Sequence, residues 1–362
     1  MSKEIKVLHT EWSDGWGGQE IRIINEMIAV RERGIEVYLA CRDYAQIKQK
    51  ALENNIEVFT LPFKGSFDIE TMLKLRNIIK KHKINIVNTH SGKDSWVGGF
   101  AAKLSGTNFI RTRHLSNPIN SSRLNFINEM ADFIFTTGES IKDAMIKNNR
   151  INPSKICSIP TGVDETLFDP NKYDKDKCRE LFGIKDNEIA VGILAVLRSF
   201  KRHDTFLEIA KKIKDKYSDK KFKFLIAGEG PKRESIEQKI DDLDLKENVV
   251  MLGHIENTPE FLKSLDIFLL TSDRNEGVPQ SLIQALMMEL NIVATNAGSI
   301  KDLYKNQNFL ISEPTVELIF KNTAKLIENR ATLNKDRTFI VNNFGKSSIA
   351  SKIIEIYNRL IA

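Results

Sequence analysis

At 362 residues, 41% hydrophobic and 28% charged, the chain has an ordinary globular composition and is too long for a single core. Its net charge of +6 is unevenly held: residues 1–160 carry 23 Lys and Arg against 17 Asp and Glu, and the remainder carries 31 of each. Two domains are expected, the first of them meeting something anionic such as phosphate or a membrane surface. Cys41, Cys157 and Cys178 are odd in number and far apart, which argues against a disulfide framework and for a reducing setting. No apolar run reaches membrane-spanning length, and the first residues lack the apolar stretch of a signal peptide. A cytoplasmic protein is the expectation, with peripheral attachment to the inner membrane face left open.

In chain order, short β-branched or apolar runs alternate with segments of helical period. Strands are expected at residues 5–10, 37–40, 57–61, 86–89, 109–112 and 133–137, and helices at 20–33, 44–54, 69–82, 95–104 and 140–147. Pro160-Thr-Gly-Val-Asp164 reads as a turn, and residues 165–188 are polar and rich in Asp and Lys. The rhythm then restarts. Strands are expected at 189–197, 222–227, 249–252, 267–271 and 292–295, with helices at 204–216, from about Gln280, and at 347–360. In the last helix Ile349, Ile353, Ile356 and Leu360 share one face. This is the βαβ pattern of an α/β protein with two successive doubly wound parallel sheets. The expected divisions are 1–165, 166–345 and a terminal helix at 346–362. Ligands of such sheets bind outside the carboxyl ends of the strands, so the cleft between the two domains is the expected site.

Three stretches follow strands. Gly15-Trp-Gly-Gly-Gln-Glu20 opens the first helix, where glycines let backbone N–H groups approach a phosphate; alone, it reads equally well as a tight turn. Leu197-Arg-Ser-Phe-Lys-Arg-His203 puts Arg198 and Lys201 at a strand's carboxyl end, suited to clamp a diphosphate. In Ser272-Asp-Arg-Asn-Glu276-Gly-Val-Pro279-Gln-Ser-Leu-Ile-Gln284, Glu276 stands before a helix and Gln284 one turn inside it, both able to accept from hydroxyls.

With these stretches the chain resembles family 4 of the retaining glycosyltransferases, which have the GT-B fold: two facing Rossmann-like domains, with a C-terminal helix crossing back to the first. The resemblance spans essentially the whole chain. It is carried by Gly17-Gly18, by Ile159-Pro-Thr-Gly-Val-Asp164 with Phe168, and by Arg198 with Lys201. It continues through Ile226-Ala-Gly228-Glu-Gly-Pro231, Val250-Met-Leu-Gly253-His-Ile and Glu276-Gly-Val-Pro. The resemblance implies transfer of a sugar from a nucleotide-diphospho-sugar, such as a UDP- or GDP-sugar, to an acceptor hydroxyl. Arg198 and Lys201 would then meet the diphosphate and its developing charge. Glu276 would hold sugar hydroxyls, Gly277, Val278 and Pro279 would lie along the phosphates, and Gln284 would reach the ribose. Gly228, His254 and Ile255 would border the nucleotide, and Gly17 and Gly18 would bring the first domain to donor and acceptor.

Two positions depart from the family pattern. Gln284 stands where a second glutamate is usual, and Glu289-Leu-Asn291 where many members have Gly-x-Pro. His114 follows a strand and is expected at the donor sugar, as in relatives, whereas His90 is given a structural or acceptor-side role. No Asp-x-Asp motif is present, and the remaining histidines lack metal-ligand spacing, so a metal-independent reaction with no cofactor is expected. The basic segment Met72–Lys83 reads first as a core-packed helix with a solvated face and second as a contact for anionic lipid. The expected setting is surface polysaccharide, lipopolysaccharide, capsule or lipid-linked glycan assembly, with a glycan or lipid-linked acceptor and no nucleic-acid partner. The rival readings are a nucleotide-sugar epimerase of the same architecture and a non-catalytic nucleotide-sugar-binding protein.

Overall fold

In the computed structural model, residues 4–114, 126–273 and 276–362 are described. The chain divides into two compact units, one of residues 1–162 with 344–362 and the other of residues 163–343.

The first unit holds seven strands: β1 (Lys6–Thr10), β2 (Glu36–Cys41), β3 (Glu57–Thr60), β4 (Ile86–Thr89), β5 (Asn108–Arg113), β6 (Phe133–Thr136) and β7 (Ile156–Ser158). All pair in parallel, in the order β3-β2-β1-β4-β5-β6-β7. The near-continuous burial of β1, β4 and β6 is the mark of a sheet covered on both faces. One face packs on helix Gly18–Arg31 and the terminal helix Lys346–Ile361, through Ile23, Met27, Ile86, Ile110, Ile349, Ile353 and Tyr357. The other face meets helices Ile69–His82 and Gly92–Leu104 through Leu75, Ile79, Val97 and Ala101. Within Ile69–His82, Thr71, Leu75 and Ile79 face inward, and Lys74, Lys80 and Lys81 are exposed. The basic segment is thus an ordinary amphipathic helix on its inner side.

The second unit has six parallel strands: β8 (Glu188–Leu194), β9 (Lys221–Ala227), β10 (Val249–Gly253), β11 (Ile267–Leu270), β12 (Asn291–Thr295) and β13 (Leu310–Ser312). Their order is β10-β9-β8-β11-β12-β13. Its core centres on Val191, Ile193, Phe206, Ile209, Phe224, Leu269 and Val293. The apolar run expected as a strand to residue 197 leaves the sheet after Leu194. Ala195 and Leu197 instead donate backbone hydrogen bonds to the Ala227 and Glu229 carbonyls at the sheet's carboxyl edge, and both side chains still pack into the unit's core. The polar stretch 165–188 contains a helix, Lys175–Leu181, capped by Asp174 and anchored by the buried Arg179 on Asp266 at 3.0 Å. All three cysteines are free thiols.

Trp12, Trp16 and Trp96 all lie in the first unit, so tryptophan fluorescence reports its unfolding selectively. Ile353 is fully buried between the terminal helix and the sheet. Ile353→Ala is expected to destabilise the first unit by about 3 kcal/mol. The fluorescence-detected urea midpoint should drop accordingly, and an unchanged midpoint would refute this packing.

Candidate active site

In the second unit the winding reverses at β8 and β11, the place where parallel sheets leave a crevice beyond their carboxyl ends. Lys201, after β8, and Glu276, after β11, meet there: Lys201 Nζ lies 2.5 Å from Glu276 Oε1. Both side chains are nearly buried, 11% and 7% exposed. Ser272 Oγ donates to the same Oε1 at 2.5 Å, so both contacts fall on one carboxylate oxygen. The Lys201 turn is fixed from below, because Thr271 Oγ1 donates to the carbonyls of Lys201 and Arg202 at 2.8 and 2.9 Å. Asp273 N donates to the Phe200 carbonyl at 3.0 Å.

Two glycines bring backbone close to this pair's supports. Gly298, after β12, has φ +54°, and a Cβ there would stand 1.9 Å from the Glu276 carbonyl oxygen. Ser299 N donates to that same carbonyl at 3.2 Å. Gly228, after β9, has φ +138°, and a Cβ would come within 2.0 Å of the Ala195 carbonyl. Its N–H donates to the Gly253 carbonyl at 2.8 Å, which draws the loop of His254 and Ile255 to the same edge.

Arg198 is not in the Lys201–Glu276 pair. It is exposed and lines a cavity of about 440 Å³ with Phe200, Arg202, Lys232, Ser235 and Lys239. Arg202 is held by Asp204 and Asp273, and Lys239 by Glu208, whereas Arg198 and Lys232 make no ion pair among the described residues. Val278, Pro279 and Gln284 are buried, Gly277 and Ile255 are half-buried, and His254 is exposed. Helix Gln280–Met287 starts after Pro279, as the sequence suggests. Arg274 and Asn275 of the quoted stretch lie outside the described residues.

The first unit reverses its winding at β1 and β4. A Cβ on Gly18 would meet nothing within 4 Å, and one on Gly17 only the Glu20 carboxylate at 3.5 Å. Packing among the described residues therefore does not demand either glycine. Glu20 accepts from Gly17 N at 2.9 Å, so the helix start already holds one carboxylate. The loop is pinned by Glu11, which accepts from Ser13 N at 2.7 Å and from Gln19 Nε2 at 2.6 Å. Glu11 is fully buried, and desolvation, with Asp94 nearby, pushes its carboxyl up to about 8. Asp94 accepts from Thr10 Oγ1 and from the backbone of His90 and Ser91. His114 is half-buried after β5, with His90 against it.

Sequence reasoning missed Ser272's bond to Glu276, Gly298, Lys232 and Glu11. A glycine three residues past a strand was the available signal for Gly298; Glu11, one residue past β1, carried the same positional hint. Among the described residues no group of three or more His, Cys, Asp and Glu is arranged to hold a metal ion. No helix among them is long and apolar enough to cross a membrane.

Two family descriptions match: Glycosyltransferase Family 4 over residues 16–167 and Glycosyl transferases group 1 over residues 174–344. Together they take in most of both units, and the chain belongs to the family 4 glycosyltransferases, with the GT-B fold. It is similar to the UDP-Gal:alpha-D-GlcNAc-diphosphoundecaprenol alpha-1,3-galactosyltransferase of Escherichia coli, at 24% identity over 98% of this chain and 97% of that one. It is also similar to the phosphatidylinositol N-acetylglucosaminyltransferase GPI3 subunit of Saccharomyces cerevisiae, at 24% identity over 95% of this chain and 80% of that one. Among solved structures, a glycosyltransferase from Rickettsia africae superimposes with a TM-score of 0.89 at 21% identity, covering 99% of both chains. The Anabaena protein HepE, solved with UDP, gives 0.85 at 17% identity, covering 98% of this chain and 100% of its own. The epimerase reading is not favoured by these names.

Gly298→Ala adds a methyl group where φ is positive and the Glu276 carbonyl stands in the way, so the Glu276 loop must move. The variant is expected to lose sugar transfer together with at least about 1 kcal/mol of stability; native activity would show that this contact does not hold Glu276. Glu11 ionises near 4.5 when unfolded but near 8 in the fold, so the folded state binds more protons across that window. Its contribution therefore lowers stability as pH rises from 4.5 to 8. Glu11→Gln should gain in melting temperature relative to the native protein as pH is raised through this window. A constant difference would contradict the shift.

Proposed function

We propose that this glycosyltransferase moves a sugar from a nucleotide-diphospho-sugar to a hydroxyl of a glycan or lipid-linked acceptor, with retention at the anomeric carbon. The observation that carries this reading is the buried Lys201–Glu276 pair at the carboxyl edge of the second sheet, beside the cationic cavity of Arg198 and Lys232. Arg198 and Lys201 neutralise the donor diphosphate as the bond from its oxygen to the anomeric carbon breaks. The acceptor oxygen bonds to that carbon from the same face, and its proton passes to the departing phosphate oxygen. Glu276 accepts from sugar hydroxyls through the oxygen that Lys201 and Ser272 leave free of contact. Gly228, Gly277, Val278, Pro279, His254, Ile255 and Gln284 border the nucleotide, and Gln284 accepts from the ribose as an amide in place of a carboxylate. Gly17 and Gly18 offer backbone, and His114 a ring nitrogen, to the sugar and acceptor. With two cations available to the diphosphate, transfer should persist in EDTA.

Support for the donor comes from HepE, solved with UDP and with UDP-glucose, and from the UDP-Gal named for the Escherichia coli relative. That relative's name also specifies a diphosphoundecaprenol acceptor, which favours a lipid-linked glycan and a peripheral membrane setting here. Phe67, Ile69 and Leu73, exposed by 84%, 66% and 47%, lie at the start of the basic helix and suit such a contact.

The test is transfer from a panel of UDP-, GDP- and ADP-sugars by native protein and two variants. Lys201→Ala should lower kcat roughly 100-fold or more. Because it also leaves the Glu276 charge buried and unpaired, its fold is checked by circular dichroism. Glu276→Gln should keep nucleotide binding, read by thermal shift, while losing transfer. Full transfer by either variant would remove that residue from the site, and epimer formation by native protein would replace the reading.

A further inference from the structure

Three histidines of the first unit form a hydrogen-bonded file. His9 lies in β1, His90 follows β4 and His114 follows β5, three neighbouring strands. Strand alternation puts His9, Asn88, His90, Thr112 and His114 on one face: His9 pairs in register with Asn88, and Thr112 Oγ1 donates to Asn88 Oδ1 at 2.8 Å. His9 Nδ1 stands 2.9 Å from His90 Nε2, and His90 Nδ1 stands 3.0 Å from His114 Nε2. The first two rings meet edge to edge and nearly coplanar, with centroids 5.2 Å apart and planes 9° from parallel; the second pair is equally close at 41°. The file runs from fully buried His9, through buried His90, to half-buried His114.

A neutral imidazole carries one N–H and one bare nitrogen. Two N···N hydrogen bonds in series between neutral rings then allow two proton arrangements. Either all three rings are protonated on Nδ1, or all three on Nε2. The second arrangement places an N–H on His9 Nε2, an atom buried without a partner among the described residues. The first leaves only a bare nitrogen there, and an orphaned N–H is the rarer and costlier of the two. Burial lowers the proton affinity of all three rings, His9 to about 3, and the Arg22 guanidinium adds to this at His90 and His114.

We propose that His9 and His90 are positioning residues that hold His114 as a neutral imidazole with its proton on Nδ1, the nitrogen His90 does not engage. His114 is thereby a fixed hydrogen-bond donor, suited to a hydroxyl or carbonyl oxygen of a sugar and not to a proton it must accept. The use of that donor rests on the assignment of His114 to the sugar; the tautomer does not.

In full-length protein carrying isotope-labelled histidine, long-range proton–nitrogen correlation spectra read the tautomer of each ring. His9, His90 and His114 should all appear neutral and Nδ1-protonated. An Nε2-protonated or tautomer-averaged His114 overturns the proposal. His90→Phe keeps a planar ring between its neighbours and removes both nitrogens. His114 should then average between tautomers, and kcat/KM for transfer should fall roughly tenfold. Adding His114→Phe to that variant should cost no more than His114→Phe alone, and independent, multiplying losses overturn the proposal too. Native transfer by His114→Phe would instead remove His114 from the sugar, while the wild-type spectra still decide the tautomer.

Discussion

Every strand in both sheets runs parallel to its neighbours, so every loop that follows a strand leaves from the same edge of its sheet. In each unit the chain winds outward from its first strand, then returns to that strand's other side and winds the opposite way. The loops after the two central strands consequently diverge, and side chains distant in sequence meet across the gap. Lys201 and Glu276, separated by 75 positions, come together in this way, as do His9 and His90, separated by 81. The chemistry of the molecule is a consequence of strand order before it is a consequence of any one motif.

That placement has an energetic cost which locates function. A buried ion pair contributes little net stability, because desolvation of both charges offsets their attraction. Lys201 and Glu276 are nevertheless held by Ser272, Thr271 and Ser299, and by a glycine whose φ of +54° other residues adopt poorly. The buried carboxyl of Glu11 is likewise kept in the fold although burial disfavours its charge. Packing alone would replace these groups with apolar side chains, and their concentration at the strand ends marks the edge that handles a polar ligand.

The alternation of strands and helices was legible because buried parallel strands read as short apolar runs between helical periods. The terminal helix, observed at Lys346–Ile361, was equally clear from Ile349, Ile353 and Ile356. What escaped was short or non-periodic. The edge strands Ile156–Ser158 and Leu310–Ser312 have three residues each, below the length at which alternation can register. Helix Lys175–Leu181 buries only Cys178 and Arg179, so its sequence looked like linker. In the site, residue types were readable but partners were not: Lys201 and Glu276 each suggested a ligand, and nothing in the sequence indicated that they would bond to each other. Glu289 shows the reverse case. It adopts φ +57°, so the turn that glycine serves in many relatives persists here without the glycine.

The uneven charge along the chain also takes on a different meaning once side chains are placed. The second unit's half of the sequence is neutral overall, yet its cavity gathers Arg198 and Lys232 while other cations are spent on carboxylates such as Asp204, Asp266 and Glu208. Local pairing, not net charge, decides where an anion is met. In the first unit, Lys80 and Lys81 occupy the last turn of helix Ile69–His82, where the helix dipole favours cations whatever lies outside. Part of the basic excess therefore has a local cause within the helix. The dipole does not account for Phe67, Ile69 and Leu73, apolar groups left exposed at the opposite end of that helix, the first of them beside the tilted ring of Trp96. The proposed membrane contact on this face rests on those three side chains, with the lysines adding attraction to an anionic bilayer.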